Sequence, residues 1–390
     1  MYIAILGRQP AIGMAELEHL YGSDSVRWFS DVAAIIDTPT LAIDHLGGAQ
    51  KIGHVAIELP RGDWRSASLK IAQTYAEKWS RVDNKITLGI SAYGFDTSPR
   101  DIQKTGLVLK QKLKKTDVSL RLIPNTDVAL NTATSHHNKL GLSDNKVELI
   151  VVRSRGGRII VAESVGAQNI TAYAKRDQGR PKRDAFVGML PPKLAQIMIN
   201  LTRTANDSSS KRLLDPFCGT GVVLQEAALM GYEVYGTDLA DKMIDYSQAN
   251  LEWLKSVAHI DFTYDLHQGD AMDTRWNPPI DAVACESYLG QPFSAPPSIA
   301  KLDQVRKNCD HIITGFLKNI ASQIPSNTPL CIGIPAWRDG NGQFHHLALL
   351  RQLDTLGFER VEFKNVKNNE LLYYREDQIV ARELLVLRRR

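Results

Sequence analysis

Three carboxylates stand at or just after the ends of three expected strands in the second half of the chain. Asp215 closes "RLLD", Asp238 closes "EVYGTD", and Asp270 lies in "QGDA". The first is followed by the glycine turn "PFCGTG" and by a helical segment that ends at Gly231. Strand, glycine turn, helix and strand in this order predict a βαβ unit that binds a nucleotide, in which the acid after the second strand fits the hydroxyls of a ribose.

The spacing of the glycines separates two classes of nucleotide cofactor. A dinucleotide requires G-x-G-x-x-G so that its pyrophosphate can rest on a helix N-terminus, whereas this turn has only Gly219 and Gly221. Asp215, directly before the turn, would repel a pyrophosphate but suits the ammonium group of S-adenosylmethionine, and the glycines allow the backbone to approach the methionine portion. Asp270 would then hydrogen-bond the adenine amine. The pattern therefore predicts S-adenosylmethionine as the cofactor.

Composition and charge narrow the class of protein. A chain of 390 residues is long enough for two or three domains. Hydrophobic residues make up 43% of it, which is enough to form their cores. Basic residues cluster at 110–115, 175–183 and 388–390, and this favours a phosphate-backbone partner, although each run could equally be a solvated face. The four cysteines show no C-x-x-C pair and no histidine at ligand spacing, so we expect no metal site. Because no apolar run is long enough for a signal peptide or a membrane span, we expect a soluble cytoplasmic protein.

Strand and helix patterns suggest how the chain is organised. The expected parts are an α+β subdomain (1–50), a second α+β domain (51–172), a basic connector (173–195) and a catalytic domain (196–390). In the last part, alternating strands and helices predict a doubly wound parallel sheet. Within these parts apolar periodicity predicts helices over 10–22, 63–80 and 99–116. We also predict one strand over 28–38, a loop over the serine-rich 204–211 and a closing antiparallel hairpin over 371–387.

Several segments together resemble a known family. "DPFCGTG" followed by "GTDLADKMIDYSQANL" resembles the class I S-adenosylmethionine-dependent methyltransferases. More narrowly, the chain resembles the THUMP-domain tRNA (guanine-N2) methyltransferases that act on guanosine 10, through "YIAILGRQPAIGMAELEHLYG", "GLVLKQKLKK", "SHHNKLG" and "YAKRDQGRPKRDAFVGMLPPKLAQIMINL". The resemblance implies an α+β RNA-binding half that contains a THUMP domain and grips tRNA near its acceptor end. It also implies a Rossmann-like methyltransferase sheet in the C-terminal half.

The resemblance assigns a cofactor role to each matching position. The glycine turn would line the methionine end, Asp238 would hold the ribose, and Asp270 would hold the adenine. The connector would pack near the cofactor. The positions expected to bind it are Asp215, Pro216, Phe217, Gly219, Gly221, Asp238, Leu239, Asp270, Ala271, Leu190 and Pro191.

One segment departs from the family's pattern. Where the family has Asp or Asn, two prolines and an aromatic, this chain has Glu286, Ser287, Tyr288 and Leu289. In the family the acid or amide and a backbone carbonyl accept hydrogen bonds from the exocyclic amine of a flipped base, on which the aromatic stacks. Such an amine is a poor nucleophile because its lone pair is delocalised, so fixed acceptors must orient it. Glu286 keeps a carboxylate and Tyr288 supplies an aromatic one position early, so we expect Glu286, Ser287 and Tyr288 to form the catalytic segment.

These expectations combine into one reaction with two rivals. The reaction is methyl transfer from S-adenosylmethionine to the exocyclic amine of a tRNA base, with guanine N2 as the best fit. The rivals are methylation of another RNA or DNA base amine, and a catalytically inactive RNA-binding protein that keeps the fold. Some members of the family need a small activating protein, and whether this chain needs one stays open.

Overall fold

The structure is a computed structural model, and its described residues form two compact units. These units are Met1–Ala172 and Tyr173–Arg390. The described residues are 1–184, 189–203, 211–293, 295 and 297–390. The predicted serine-rich loop lies, apart from Lys211, outside the described residues. Within the described parts of the chain, every helix is too short or too polar to cross a bilayer.

The first unit is built on one mixed sheet, as the predicted α+β character requires. Its strands are β1 (Tyr2–Leu6), β2 (Val26–Ser30), β3 (Ala33–Ile36), β4 (Ala49–Leu59), β5 (Ile86–Tyr93), β6 (Leu120–Leu122), β7 (Lys146–Arg153) and β8 (Ile159–Ala167). Their order across the sheet is β2-β3-β1-β4-β8-β7-β5-β6. Strand β5 runs parallel to β6 and β7, and the other neighbours are antiparallel. The expected boundary at residue 50 falls inside β4, and the division of this unit into two domains stays a prediction.

Apolar periodicity predicts three of the helices of this unit, which are α1 (Pro10–Tyr21), α2 (Trp64–Lys78) and α3 (Pro99–Lys114). The short α4 (Thr132–His137) was not predicted, and neither was α5 (Ile170–Gln178), which begins in this unit and continues into the second. Asp63 caps α2 by accepting a hydrogen bond from the Ser66 N–H at 2.9 Å, and Ser98 caps α3 in the same way. Both helices bury their apolar stripes, Ile71 and Leu109 among them, against the strands.

The prediction of one strand over 28–38 is wrong. The segment contains the end of β2 and all of β3, which pair antiparallel around Asp31 and Val32. Asp31 is exposed, and an exposed aspartate after a serine favours a turn. Because apolar residues lie on both sides of this short turn, the sequence pattern resembles that of one continuous strand.

The second unit is built on a sheet that follows the predicted doubly wound order. Its strands are β9 (Arg212–Asp215), β10 (Glu233–Asp238), β11 (Tyr264–Gln268), β12 (Ala282–Glu286), β13 (Pro329–Arg338), β14 (Phe344–His345), β15 (Phe358–Arg360), β16 (Leu372–Tyr373) and β17 (Val380–Arg389). The order is β11-β10-β9-β12-β13-β17-β15, with β14 beside β13 and β16 beside β17. The first five strands are parallel and β17 is antiparallel to its neighbours. The predicted closing hairpin is confirmed as β16 and β17.

The order of these strands creates the place for a site. The helices of the unit are α6 (Pro192–Asn200), α7 (Val222–Leu229), α8 (Asp241–Ala258) and α9 (Ile299–Ala321). From β9 the chain proceeds outward to β10 and β11 and then returns to place β12 on the other side of β9. Open α/β sheets bind ligands in the crevice at the carboxyl ends of the strands where the order reverses. Asp215 and Glu286 end the two strands that flank this point.

Candidate active site

The glycine turn between β9 and α7 is held in place by α8. Gly219 and Gly221 both have positive φ, 52° and 77°, which L side chains rarely adopt. A Cβ at Gly221 would lie 2.9 Å from the Oγ of Ser247, so only glycine fits there. Ser247 donates a hydrogen bond from its Oγ to the Gly219 carbonyl at 2.8 Å, and Asn250 donates one from its Nδ2 to the Thr220 carbonyl at 2.8 Å. The turn is therefore a rigid, preformed surface.

Asp238, the predicted ribose ligand, lies at the edge of this turn. Its Oδ2 accepts the Gly219 N–H at 2.9 Å and its Oδ1 accepts the Ala240 N–H at 3.0 Å. Its main-chain carbonyl accepts the Gly269 N–H at 2.9 Å, and this bond ties the segment of Asp270 to the end of β10. Each carboxylate oxygen keeps a lone pair that can accept a hydroxyl.

Asp215 is a buried carboxyl at the end of β9, the strand that pairs with β10. Burial raises its pKa well above the usual range, and the negative charges of Asp238 and Glu286 raise it further. The Phe217 N–H, which donates to Oδ1 at 3.1 Å, acts in the opposite direction. A carboxyl held in such surroundings favours a cationic ligand, because a nearby positive charge offsets the cost of ionising it.

Asp270 and Ala271 lie in a tight turn after β11. The Oδ1 of Asp270 accepts the Met272 N–H at 2.9 Å, and its carbonyl accepts the Thr274 N–H at 2.8 Å. Ala271 is buried, and its carbonyl accepts a hydrogen bond from the Asn319 side chain of α9 at 3.0 Å. These hydrogen bonds hold the Asp270 carboxyl in place just after the end of β11.

The residues at the glycine turn fit S-adenosylmethionine. Apart from its chain neighbours, a Cβ added to Gly219 would meet no described atom closer than the Phe217 carbonyl oxygen at 3.9 Å, so open space borders the turn there. Carboxyls with the chemistry to accept an ammonium group, a ribose and an amine lie along it. When bound there, the cofactor would supply an electrophilic methyl group.

The other predicted cofactor positions surround these carboxyls. Pro216 is buried, and the Phe217 ring packs edge-on against Phe316 with ring centroids 5.3 Å apart. Leu239 is 68% exposed, directly after Asp238. In the connector, Leu190 is buried and Pro191 precedes α6, which packs against α7 and β12. These cofactor roles stay predictions.

Glu286 forms an ion pair that the sequence did not reveal. The carboxylate at the end of β12 accepts a hydrogen bond through Oε1 from the Nε of Arg382 on β17. Burial raises the pKa of Glu286 above its usual range, and the charge and hydrogen bond of Arg382 reduce that rise. The arginine thereby favours the carboxylate, which is the form that accepts hydrogen bonds.

Ser287 and Tyr288 differ in what they offer to a ligand. Ser287 is buried, and both its N–H and its Oγ donate to the Gly333 carbonyl of β13, at 2.9 and 3.0 Å. Its hydroxyl proton is thereby engaged within the sheet. Tyr288 is 41% exposed and can meet an incoming base. At Gly290, where φ is 83°, a Cβ would lie 2.7 Å from Val305, so the loop packs closely on α9.

Sequence reasoning missed three residues of this site. Ser247 and Asn250 lie in the quoted motif "DYSQANL" but face the turn only because α8 packs beside it. Arg382 lies in the hairpin that we predicted as purely structural, and its only sequence signal is a charge within an apolar strand. No group of three or more His, Cys, Asp or Glu side chains is arranged to hold a metal ion in the described residues.

Part of the second unit is similar to known methyltransferase domains. Residues 180–305 match the family model described as "UPF0020: RMKL-like, methyltransferase domain". The crystal structure of TrmN from Thermus thermophilus superposes with a TM-score of 0.54 and 17% identity over 100% of this chain and 99% of that one. This likeness supports the predicted fold class for the whole chain.

Curated relatives narrow the resemblance. The tRNA (guanine(10)-N2)-dimethyltransferase of Methanothermobacter thermautotrophicus is 31% identical over 166 residues, which are 42% of this chain and 44% of the relative. The protein of the same name from Pyrococcus abyssi is 47% identical over 64 residues, or 16% of this chain and 18% of the relative. The chain thus matches less than half the length of either relative. The predicted resemblance is confirmed in the methyltransferase domain, and the THUMP domain stays a prediction.

Proposed function

We propose that this protein transfers a methyl group from S-adenosylmethionine to the exocyclic amine of a tRNA base, guanine N2 at position 10. The observation that carries the proposal is Glu286. Its carboxylate ends the strand next to Asp215, at the point of the sheet where class I enzymes bind their ligands. The names of the curated relatives support guanine N2 and position 10.

The chain's own residues supply positioning and charge. Asp215, Asp238 and Asp270 would hold the cofactor at the ammonium, ribose and adenine ends. Glu286 would accept a hydrogen bond from the amine and so turn its lone pair toward the methyl group. Its negative charge would also stabilise the positive charge that develops on the nitrogen. Tyr288 would stack on the flipped base.

The first unit would bind the tRNA, near its acceptor end, as a THUMP domain does. Helix α3 supports this role, because it buries Leu109 and Leu113 while exposing Lys110, Lys112 and Lys114. Lys110 and Lys114, four residues apart, share one side of the helix, and Lys112 lies on the other side of the buried stripe. Such exposed lysines are suited to phosphates, and phosphate binding weakens steeply with salt. Replacing the three lysines by alanine should weaken tRNA binding and lower the slope of log affinity against log salt concentration.

The test is a methylation assay on unmodified tRNA transcripts with labelled S-adenosylmethionine, followed by mass spectrometry of the nucleosides. The native protein should form N2-methylguanosine, and Glu286→Ala should lower the rate by at least about a hundredfold, because a preorganised charge at the reacting amine is lost. Glu359→Ala, which changes an exposed glutamate on β15 of the same sheet, is the matched control and should leave the rate unchanged.

Other outcomes separate the rivals. Label on a different nucleoside would keep the reaction class and replace the substrate. Label on DNA but not on tRNA would contradict the RNA assignment. No label on any tRNA, in a protein that still binds the cofactor by calorimetry, would contradict catalysis by this chain alone. Repeating that assay in a cell extract would then distinguish a missing activating partner from an inactive RNA-binding protein.

A further inference from the structure

The Glu286–Arg382 pair leaves polar atoms open. The side chains of Glu286 and Arg382 are 16% and 9% exposed. One hydrogen bond joins them, from Nε to Oε1. Within the described residues, Oε2 of Glu286 and the two terminal nitrogens of Arg382 form no other hydrogen bond, and none of these atoms is sealed from solvent. The pair therefore presents an unused acceptor and unused donors side by side.

The sheet places this pair at the carboxyl edge. Strand β13 lies between β12 and β17, with Glu286 opposite Gly333 and Arg382 opposite Pro335. Arg382 thus reaches across β13 toward the strand end, over a position where glycine carries no side chain. On the other side of Glu286, β12 pairs with β9, which ends at Asp215. The open atoms therefore lie at the switch point that flanks the proposed cofactor site.

A second arginine–glutamate pair in the same unit shows what a structural pair does with its atoms. Arg176 donates from Nε and Nη2 to both oxygens of Glu226, at 2.5 and 3.1 Å, and the Glu226 side chain is only 4% exposed. That bidentate pairing occupies both carboxylate oxygens, as is typical of stable arginine–carboxylate pairs. Arg382 donates from one nitrogen where Arg176 donates from two. The two terminal nitrogens of Arg382 are therefore free to bind a ligand.

The open atoms follow an order that matches one base. Oε1 keeps a second lone pair beside its bond to Nε. From Oε2 through Oε1 to the terminal nitrogens of Arg382, the pair therefore offers acceptor, acceptor and donor, because a carboxylate only accepts and a guanidinium only donates. The Watson–Crick edge of guanine offers donor, donor and acceptor from N2–H, N1–H and O6. Adenine carries an acceptor at N1, which would face a carboxylate oxygen.

We infer that Glu286 and Arg382 together read the Watson–Crick edge of a flipped guanine, with Arg382 donating to O6. Enzymes that act on flipped bases select them through this edge. Arg382 is then a specificity-determining residue that holds the base while Glu286 orients its amine. The inference rests on the proposed function and adds to it a residue outside the motif "ESYLG".

The experiment changes one atom of the substrate and one side chain of the protein. Full-length protein is given tRNA carrying guanosine or 6-thioguanosine at the modified position, in competition, and the ratio of kcat/KM values is measured. The thio analogue keeps N1–H and N2–H but replaces O6 by sulfur, which is a weak acceptor. The protein variants are Arg382→Met and, as a control that breaks a neighbouring arginine–glutamate pair, Arg360→Met.

The expected result is a preference that depends on Arg382. The native protein and Arg360→Met should prefer guanosine by about fivefold to a hundredfold, the range of one good base contact. In Arg382→Met the preference should fall to nearly onefold, and the rate on guanosine should fall by a similar factor. Any steric effect of sulfur is common to all proteins, so the change in preference isolates the contact with O6.

Three outcomes lead to different conclusions. A preference as large in Arg382→Met as in the native protein would overturn the inference while leaving the proposed function intact. The absence of any preference in the native protein would overturn it without relying on a variant, even if Arg382→Met fails to fold. No methylation of any guanosine by the native protein would instead be a failure of the proposed function.

Discussion

The two units each contain a glutamate paired with a cation, and the two pairs differ in how they are enclosed. In the first unit, Lys51 on β4 donates to Glu148 on β7, and both side chains are only 1% exposed. The Nζ of Lys51 also donates to the Leu130 carbonyl at 2.6 Å, and Ser91 completes the cluster. In the second unit, the Glu286–Arg382 pair lies at a strand end and keeps open donors and an open acceptor.

This difference indicates how to distinguish a structural pair from a binding pair. Burial lowers the pKa of Lys51, and only the charge of Glu148 and the surrounding acceptors keep the ammonium stable there. The cluster ties the loop at Leu130 to the sheet and has no access to a ligand. A pair at the ends of the strands, where it is partly open to solvent, loses less to desolvation. It can exchange part of its hydrogen bonding for a substrate.

The largest expected effect is on the enclosed pair. Lys51→Met should lower the free energy of unfolding of the first unit by about 3–5 kcal/mol, because Glu148 is left as an unpaired buried charge. Arg382→Met should cost the second unit about 1–2 kcal/mol, because Glu286 keeps access to water. Urea-dependent hydrogen exchange of the full chain, followed at β7 and at β13, reports each unit separately. Equal costs would remove the distinction between the pairs.

The next effect concerns the cofactor. Asp238→Ala should weaken S-adenosylmethionine binding by about tenfold to a hundredfold, which is the contribution of hydrogen bonds to a charged group. Glu148→Gln, which alters the enclosed pair, should leave the affinity unchanged. Isothermal titration calorimetry measures both, and an unchanged affinity in Asp238→Ala would show that the ribose assignment is wrong.

A smaller effect distinguishes backbone strain from steric blocking of the cofactor at the glycine turn. Gly219→Ala and Gly231→Ala each place an L residue at positive φ, 52° and 89°, and each should cost about 1 kcal/mol of stability. At Gly219 the new Cβ projects into the open space beside the turn, whereas Gly231 ends α7 away from the strand ends. Only Gly219→Ala should therefore lose cofactor affinity. A similar loss in both variants would indicate a general distortion of the fold.

The smallest expected effect is a gain in stability, whereas Lys51→Met lowers the stability of the first unit. Because burial raises the folded-state pKa of Asp215 above its unfolded value, the stability associated with this group is present at low pH and is lost as pH rises through the folded-state pKa. Asp215→Asn should therefore stabilise the ligand-free protein at neutral pH by about 1 kcal/mol, or roughly 2–4 °C in the unfolding midpoint. This gain should vanish in acid.

The same variant tests the role of the acid. Asp215→Asn should weaken cofactor binding, because the negative charge opposite the ammonium is removed. Thermal unfolding with and without S-adenosylmethionine, at neutral and acidic pH, measures both effects. A variant that is less stable than the native protein at neutral pH would show that Asp215 is a structural residue like Glu148.

The sequence by itself determined the parts of this protein that depend on local pattern. The run from "RLLD" through "PFCGTG" to "EVYGTD" contains its strand, turn and helix signals within 27 residues, so the βαβ unit and its two carboxyls could be predicted. Periodicity also located α2, α3 and the closing hairpin. The prediction was wrong at 28–38, where two strands joined by a short turn carry the pattern of one.

Only the tertiary structure decided which polar residues meet. Glu286 and Arg382 are 96 residues apart in the chain, and Lys51 and Glu148 are 97 apart. No periodicity connects such pairs, because strand order and register bring them together. Their depth in the sheet then determines whether the charges are enclosed by protein or remain open to a ligand. Residue type indicated that Glu286 could accept hydrogen bonds, but its neighbour, and hence the base it suits, depended on β13 separating β12 from β17.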